Sequence, residues 1–519
     1  MPFLTADERR FMEAAAELTH VNPFLPERIE CERRVLGAEF VPQEMVWSPR
    51  PEAPAEPPNV LTMSRRVEEL VSTLRARLSG KARLAAGEAE LYRDLVAYAL
   101  YYRCQEAFCK MIPETETLPA AEGAKRVPFW RTFRRDAQEL LGPVGGVDDT
   151  TTAHLFASCF QVRRAFHYIF RFIMGGSMAA ARLRAAVWQS IFTHDMRRYR
   201  RALYERMGDI TVLITGPSGT GKELVARAVA FSRYIPFDPT RECFAVLPGA
   251  GFYAVNLAAL SPTLIESELF GHRRGAFTGA LEDHPGWLET CGPLGTVFLD
   301  EIGEVDLGLQ VKLLRVLETR TFQRLGETQP RRFAGKLVAA TNRNLAERMA
   351  CGAFREDLYY RLCSDMIRTP SLREQVQDSP GELHSLVLFL ARRLVGDAEA
   401  DALTREVEQW ITPSLGRDYA WPGNVRELDQ CIRNILIRKE YRPPEKATPE
   451  DDFHEAFATG RLTAEEVLRR YCTVVYAQTR NYLETGRRLG LDRRTVKSKV
   501  DREYLARLGV EVGADADEE

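Results

Sequence analysis

Thr211–Glu223 reads TVLITGPSGTGKE. Five residues of β-forming, mostly apolar bias run into a glycine-rich turn. Lys222 follows, and Leu224, Val225 and Ala226 begin a helical pattern. The order is strand, loop, helix. Gly216, Gly219 and Gly221 let the backbone N–H groups of the loop, together with those of Ser218 and Thr220 beyond Pro217, turn inward on a polyphosphate. A helix starting at Lys222 adds the positive end of its dipole, and the Lys222 ammonium reaches toward terminal phosphates. The general pattern closes on Ser or Thr, whose hydroxyl touches magnesium; here Glu223 stands in that place. The plainer alternative is a glycine-rich turn in an unrelated α/β fold.

Further strands are legible downstream. Thr296–Leu299 is a continuous apolar run, as a parallel strand buried on both faces requires, and it ends in Asp300 and Glu301. In that position Asp300 is the candidate magnesium ligand, direct or through water, and Glu301 the group that polarises an attacking water. The competing reading is two acids serving a helix dipole. Lys336–Ala340 is another strand, ending in Thr341 and Asn342, short polar groups placed to feel a γ-phosphate. Tyr253–Asn256 is a fourth. Between Phe231 and Phe252 lies an irregular excursion rich in Pro, Gly and aromatics. Gly275–Ala280 reads GAFTGA: a turn with glycines on both sides of Phe277 and Thr278. Phe277 either meets a partner or folds back into its own core, and spacing leaves both open.

Together these stretches resemble the bacterial enhancer-binding proteins, the AAA+ activators of sigma-54 RNA polymerase. The resemblance rests on GPSGTGKE at Gly216–Glu223, ESELFGHRRGAFTGA at Glu266–Ala280, LDEIGE from Leu299, LQVKLLRVLE from Leu309, ATN ending at Asn342, FREDLYYRL from Phe354 and WPGNVREL from Trp421. It covers about 185–440, in order, and the Glu ending of the first motif is the family's own. It implies that ATP and Mg2+ are the cofactors, with Lys222 on the phosphates and Asp300 and Glu301 as the magnesium and water acids. Asn256 resembles the switch that holds Glu301 aside, and Thr341 and Asn342 the first sensor. Arg355 and Arg361 resemble arginine fingers reaching a neighbour's ATP in a ring, a hexamer in this family. Arg426 resembles the second sensor, and Phe277 and Thr278 the residues that grip sigma-54. For Arg355 and Arg361 the plain reading is surface pairing with Glu356 and Asp357. Three departures stand out: the long excursion at 231–252, Leu257 where Cys is frequent, and about one extra residue in 286–296 with Cys291 where Ala is common.

The chain has 519 residues, 71 Lys and Arg against 73 Asp and Glu, and a net charge of -2. Any nucleic-acid surface must therefore be local. Ten scattered Cys and no signal peptide point to reduced thiols in a cytoplasm, and no apolar run approaches the ~20 residues of a membrane span. The fold class expected is an α/β AAA+ domain with a helical lid, an all-α N-terminal region and a C-terminal helix-turn-helix. The expected divisions are 1–180 (helical, regulatory by position), 185–372 (α/β ATPase), 373–442 (lid), 443–460 (linker), 461–509 (DNA-binding) and 510–519 (acidic tail).

In the N-terminal region, 51–58 reads as a stiff proline-rich linker. Three apolar stripes predict helices: Val67, Leu70, Leu74 and Leu78; Leu91, Leu95, Tyr98 and Tyr102; and Leu155, Cys159, Val162, Phe166, Ile169 and Ile173. A fourth helix is expected near 130–141, and 1–60 is hard to read. Cys104, Cys109, His154 and His167 match no zinc spacing, and core Cys is the plainer reading.

In the lid, Trp421-Pro422-Gly423 breaks the helices and Asn424 is expected to cap the next. Past it, Thr463 opens a helix with a capping box, Asn481 caps a second, Gly490 turns, and Asp492 caps a last helix from Arg493 to about Tyr504. Arg493, Arg494, Lys497, Lys499 and Arg502 lie on that helix, suited to phosphates and guanine edges of double-stranded DNA. The stretch 481–500 resembles the Fis-type DNA-binding end of the same activators, with Thr495 and Lys499 in register. Gly486 inside the second helix should cost about 1 kcal/mol relative to Ala.

The function implied is an ATP-hydrolysing activator that binds upstream DNA and remodels sigma-54 polymerase from closed to open promoter complex. The alternatives are another AAA+ remodelling ATPase, or a DNA-binding regulator whose ATP site only times oligomerisation.

Overall fold

A computed structural model describes residues 3–43, 57–79, 84–116, 125–246, 251–416, 418–443, 457, 462–501 and 504–505. Most of the proline-rich stretch, the 443–460 linker, Arg502 and the acidic tail lie outside the described residues. The chain divides into two compact units, Met1–Lys439 and Glu440–Glu519.

The first unit is built on a five-stranded parallel sheet: β1 (Val212–Thr215), β2 (Phe252–Asn256), β3 (Thr296–Asp300), β4 (Lys336–Thr341) and β5 (Asp365–Arg368), in the order β2-β3-β4-β1-β5. Val212, Leu213 and Ile214 are fully buried, as are Val297, Phe298 and Leu299 to within 1 %. Continuous apolar strands form here because helices cover both faces. Register pairs Asn256 with Asp300 and Thr215 with Thr341, so the polar carboxyl ends of four strands line up on one edge. The loop strand and the acid strand are separated by β4.

Among the described residues seven helices of ten residues or more precede the sheet: α1 (Ala6–Leu18), α2 (Glu27–Leu36), α3 (Pro58–Leu78), α4 (Ala86–Glu116), α5 (Trp130–Leu141), α6 (Asp149–Phe172) and α7 (Met178–Phe192). The three predicted stripes fall on α3, α4 and α6, and the fourth expected helix is α5. Sequence reading missed α1 and α2, although a Thr5–Glu8 capping box opens α1, and it missed α7. Cys104 and Cys159 are core residues, while the His154 ring lies 2.8 Å from both the Tyr234 hydroxyl and the Arg200 carbonyl. Among the described residues no cluster of three or more His, Cys, Asp or Glu could hold a metal, and no helix is long and apolar enough to cross a membrane.

The excursion after the loop helix has a definite role. Its short antiparallel strands Phe237–Asp238 and Cys243–Phe244 form a hairpin that plugs the N-terminal helices. Phe237 lies 4.7 Å from Trp130 and 4.8 Å from Phe156, and Phe244 lies 4.4 Å from Phe160, all ring to ring. The Val127 N–H donates to the Glu242 carbonyl at 2.8 Å, and Arg131 pairs with the Glu242 carboxylate. Offset and edge contacts among so many aromatics make this a shared core rather than a loose surface contact.

A helical lid completes the unit: Leu372–Asp378, Glu382–Val395, Asp397–Ser414 and Asn424–Arg438. One expectation is corrected here. Gly423, not Asn424, is the N-cap of the last lid helix. Asn424 is the first helical residue, at φ 53, and its side chain is used elsewhere.

Among the described residues the second unit holds three helices of seven residues or more, Ala464–Thr479, Tyr482–Leu489 and Arg493–Lys499, around Tyr476, Tyr482, Val496 and Leu505. The Thr463 capping box, the Asn481 cap and the left-handed Gly490 turn stand as expected. The basic helix is shorter than expected, ending at Lys499, and Tyr504 and Leu505 are helical again beyond the break. It stops because the chain turns back onto the first helix: the Asp501 N–H donates to Thr473 Oγ1 at 2.9 Å, and Asp501 pairs with Arg469 at 2.9 Å.

Gly486 is explained by contact rather than propensity, since a Cβ there would lie 2.6 Å from the Leu491 carbonyl oxygen. Intrinsic helix preference alone predicts that Gly486→Ala stabilises by about 1 kcal/mol. The contact reverses the sign, and a loss of about 1–3 kcal/mol is expected from overpacking. Amide exchange across Tyr482–Leu489 during denaturant titration reads which of the two effects wins.

Candidate nucleotide site

The glycine loop joins the end of β1 at Thr215 to the loop helix, Lys222–Phe231. Gly219 sits at φ 78, and a Cβ on it would fall 2.2 Å from the Gly423 carbonyl oxygen. Glycine is needed there both for the turn and for the close approach of the lid. A Cβ on Gly216 would meet Thr369 Oγ1 at 2.1 Å. Thr369 in turn lies 2.7 Å from Thr220 Oγ1, which donates to the Pro217 carbonyl at 2.8 Å. The loop is thus braced by the residue that follows β5.

The lid grips the loop from the other side. Asn424 Nδ2 donates to the Ser218 carbonyl at 2.8 Å while its Oδ1 accepts from the Leu372 N–H at 2.9 Å. The Val425 N–H donates to the Gly219 carbonyl at 3.1 Å, and Arg426 Nη1 donates to Ser218 Oγ at 3.3 Å. The left-handed backbone of Asn424 turns its amide out of the capping position and onto the loop.

A cavity of about 490 Å³ opens between loop and lid. Of the residues singled out in the sequence, Ser218, Gly219, Thr220, Gly221, Lys222, Glu223, Asp300, Glu301 and Arg426 line it. Gly216 and Pro217 stand behind the loop, their carbonyls accepting from Lys222 Nζ at 3.1 and 3.3 Å. Burial lowers the Lys222 pKa, and Glu301 and Asp300 oppose that shift. Asp300 moves the other way: burial raises it, the neighbouring Glu301 charge adds to the rise, and Lys222 opposes. Glu301 stands at φ 57, ψ 46, a costly backbone for a residue with a Cβ. Its carboxylate accepts from the Asn342 N–H at 3.2 Å. Glu223 pairs with Arg227 at 2.7 Å.

One expected partnership is not made. Asn256 and Glu301 are not joined: Asn256 Oδ1 accepts from the Ala258 N–H at 2.9 Å in its own turn. Thr341 is fully buried, and its hydroxyl accepts from the Arg343 N–H, while Asn342 is exposed. Arg355 and Arg361 lie outside the cavity. Arg355 pairs with Asp357 at 2.6 Å and Arg361 lies 3.4 Å from Glu318, with their side chains 41 % and 59 % exposed. Sequence reading missed the cavity's apolar wall, made by Phe172, Ile173 and Met174 from the end of α6 and by Phe389 and Leu390 from the lid. Helical periodicity flagged Ile173 as buried but says nothing of what it faces.

The Gly275–Ala280 turn is closed by the Gly275 N–H on the Ala280 carbonyl at 2.9 Å. Phe277 is half-buried, edge-on to His272 with ring centroids 5.0 Å apart, and Thr278 is exposed. The Phe277 ring therefore rests on the base of its own turn and stays out of the main core. Leu281, which drew no notice in the sequence, is 81 % exposed and is the most exposed large apolar side chain among the described residues.

Residues 192–368 match the family model of the sigma-54 interaction domain. The chain carries a sigma-54 interaction domain. It is 38 % identical over 309 residues to the nitrogen fixation protein AnfA of Azotobacter vinelandii, covering 56 % of this chain and 52 % of that protein. It is 42 % identical over 242 residues to the DNA-binding transcriptional regulator NtrC of Azospirillum brasilense, 46 % of each chain. It is 44 % identical over 233 residues to the Nif-specific regulatory protein of Azotobacter vinelandii, 44 % of this chain and 40 % of that one. The chain thus spans about half the length of the curated relatives it matches. A crystal structure of NtrX from Brucella abortus in complex with ATP aligns at 23 % identity over 71 % of this chain and 80 % of its own, with a TM-score of 0.38. The sheet order, the glycine loop and the lid over it make the sigma-54 interaction domain an AAA+ α/β fold.

Holding Asp300 ionised beside Glu301 in a partly dry cleft costs stability. The folded pKa is raised, so the cost is present at neutral pH and fades as pH falls through the ordinary carboxylate range near ~4. Asp300→Asn should therefore melt higher than the parent at neutral pH in the absence of nucleotide. The difference should close on acidification, as read by calorimetry across pH.

Proposed function

We propose that this chain is an ATP-driven transcription activator of the sigma-54 class, acting in the cytoplasm as a ring, a hexamer in the working state. The observation that carries the reading is the convergence of Lys222, Asp300, Glu301 and Arg426 on one cavity inside a sigma-54 interaction domain. ATP enters with its phosphates along the inward-facing loop N–H groups. Lys222 leaves its loop carbonyls for the terminal phosphates, and Arg426 follows from the lid. Asp300 is a hard oxygen donor kept near the phosphates, the kind of ligand Mg2+ accepts together with phosphate oxygens. Bound Mg2+ would neutralise charge on those oxygens. Glu301 orients the attacking water, Asn256 is the switch that holds it aside until a neighbouring subunit engages, and Thr341 and Asn342 at the neighbouring strand end sense the γ-phosphate.

Arg355 and Arg361 act in a neighbouring subunit. Each must first leave its own carboxylate, which an exposed pair permits at little cost. A guanidinium supplied in trans is worth about 10³–10⁵ in rate, so isolated monomers turn over slowly. Hydrolysis moves the Phe277–Thr278 turn, with Leu281 beside it, against sigma-54 and drives the closed promoter complex open. Residues 461–509 bind upstream double-stranded DNA. Arg493, Arg494 and Lys497 contact it directly, Thr495 braces the Asp492 cap, and Lys499 is released from Glu465 on binding. Residues 1–180 regulate, 185–372 and 373–442 form the motor and its lid, 443–460 links and 510–519 is a tail.

Glu301→Gln should keep ATP binding and lower turnover about 10²–10⁴-fold, with promoter opening lost. DNA-dependent activation surviving without hydrolysis would refute the motor. Thr278→Ala should keep ATP turnover and lose promoter opening in a sigma-54 transcription assay. If opening persists, the turn does not deliver the work and a different remodelling target is required.

A further inference from the structure

The turn between α6 and α7, residues 173–177, is held by two buried charges of opposite sign. Arg184 of α7 donates through Nη1 to the Ile173 and Gly175 carbonyls at 3.1 and 2.9 Å. Glu382 is the first residue of the lid helix Glu382–Val395. Its Oε2 accepts from the Gly176 and Ser177 N–H groups at 2.6 and 2.9 Å, and its Oε1 from the Ser177 hydroxyl at 3.0 Å. The Gly175 carbonyl and the Gly176 N–H belong to one peptide unit. That peptide is pinned at its negative end by a cation and at its positive end by an anion. Gly175 sits at φ 114, and a Cβ on it would fall 2.1 Å from Glu382 Oε1. Glycine is required there for the carboxylate to come so close.

Stability does not account for this arrangement. Arg184 and Glu382 are both fully buried, and Arg184 Nε and Nη2 have no hydrogen-bond partner among the described residues. Burial pulls the Arg184 pKa down to about 10, and Glu382 opposes that shift. Well-packed apolar residues often stabilise a fold at least as well as buried ions do. The use of these two charges lies in what they hold in place.

They join two walls of the nucleotide cavity. Phe172, Ile173 and Met174 lead into the turn and line one side. Leu386, Phe389 and Leu390, one to two helical turns beyond Glu382 on the same face of its helix, line another. Lys222, Asp300 and Glu301 form the polar part of the same cavity. A nucleotide with its phosphates on the loop leaves its base for the apolar walls. Asp378 ties the lid to the start of α7, and Glu382 ties it to the turn itself.

We propose that Glu382 and Arg184 are positioning residues for the base of the nucleotide. Clamping the peptide between Gly175 and Gly176, they set the width of the slot between residues 172–174 and 386–390, and with it the affinity that the base contributes, without touching the phosphates. The proposal rests on the nucleotide reading of the cavity.

The test is calorimetric titration of the full chain with a slowly hydrolysed ATP analogue and with inorganic tripolyphosphate, which offers phosphates without base or sugar. Glu382→Leu combined with Arg184→Met removes both charges together, so neither is left buried alone. This double variant should bind the analogue about 10- to 100-fold more weakly and tripolyphosphate within about 2-fold of the parent. With ATP itself the loss should appear in KM, with kcat held within about 3-fold. Glu382→Gln keeps the three hydrogen bonds, with Oε1 on the two N–H groups and Nε2 donating to Ser177 Oγ, and should bind the analogue within about 3-fold of the parent. Gly175→Ala drives a methyl group into the clamp with both charges in place. It should show the same selective loss, and it decides the matter should the double variant not fold. Equal loss of analogue and tripolyphosphate, or loss of neither, overturns the positioning role while the nucleotide reading stands. Glu382→Gln binding as weakly as the double variant overturns the hydrogen-bonded clamp. A parent chain that binds neither ligand removes the nucleotide reading, and the positioning role with it.

Discussion

The loop helix Lys222–Phe231 has no basic residue in its last turn, and its terminal carbonyls face the N-terminal helices. Arg164, buried on α6, donates to the Phe231 and Arg233 carbonyls, and Gln161 donates to that of Ser232. A cation at a helix C-terminus complements the dipole, and here it is supplied from another segment about 70 residues upstream. At the opposite end Asn424, Val425 and Arg426 hold the loop. The loop helix is thus clamped at both ends, by the N-terminal helices on one side and the lid on the other. Neither clamp can shift without the loop helix responding.

The two clamps also meet each other. Glu382 of the lid is fully buried, and its carboxylate accepts from the Gly176 N–H, the Ser177 N–H and the Ser177 hydroxyl, at 2.6, 2.9 and 3.0 Å. Asp378 accepts from the Met178 and Ala179 N–H groups. Two lid carboxylates therefore satisfy the free N–H groups that open α7, where negative charge is favoured. Burial raises the Glu382 pKa, and its three hydrogen bonds and Arg184 pull the other way. With the 237–244 hairpin inserted among Trp130, Phe156 and Phe160, α1–α7 are tied to the sheet domain and its lid at three separate places. Any signal received there acts through packed contacts rather than through a tether.

How much of this was legible follows from what each signal encodes. Strands β1, β3 and β4 read clearly because burial on both faces demands unbroken apolar runs. The glycine loop and the Asp300–Glu301 pair read clearly because their chemistry is local. Asn424 was misread because a capping side chain needs an extended backbone at its own residue, and φ 53 sends its amide to Ser218 and Leu372 instead. The last helix was drawn too long because its basic, amphipathic pattern continues past the point where Asp501 turns to Thr473 and Arg469. Gly486 looked like a weakness because propensity knows nothing of the Leu491 carbonyl above it. Asn256 is held in its own turn and Arg355 and Arg361 sit on local carboxylates, contacts that motif spacing does not encode.

The electrostatics of the site explain why such a clamp is needed. Burial lowers the Lys222 pKa while Asp300 and Glu301 oppose that shift, and the same burial together with Glu301 raises the Asp300 pKa. Each charge is tolerated because of the others, yet two carboxylates against one ammonium leave the set unbalanced. Glu301 adds backbone strain to that imbalance. A loose cleft would relax by admitting water or by swinging Glu301 away. The Asn342 N–H holds the Glu301 carboxylate, β4 holds Asn342, and the clamped helix holds Lys222 opposite. Preorganised charge of this kind helps a reaction only if the scaffold resists its collapse before substrate arrives. The buried Arg164 contact and the lid contacts to Ser218 and Gly219 supply that resistance from outside the site itself.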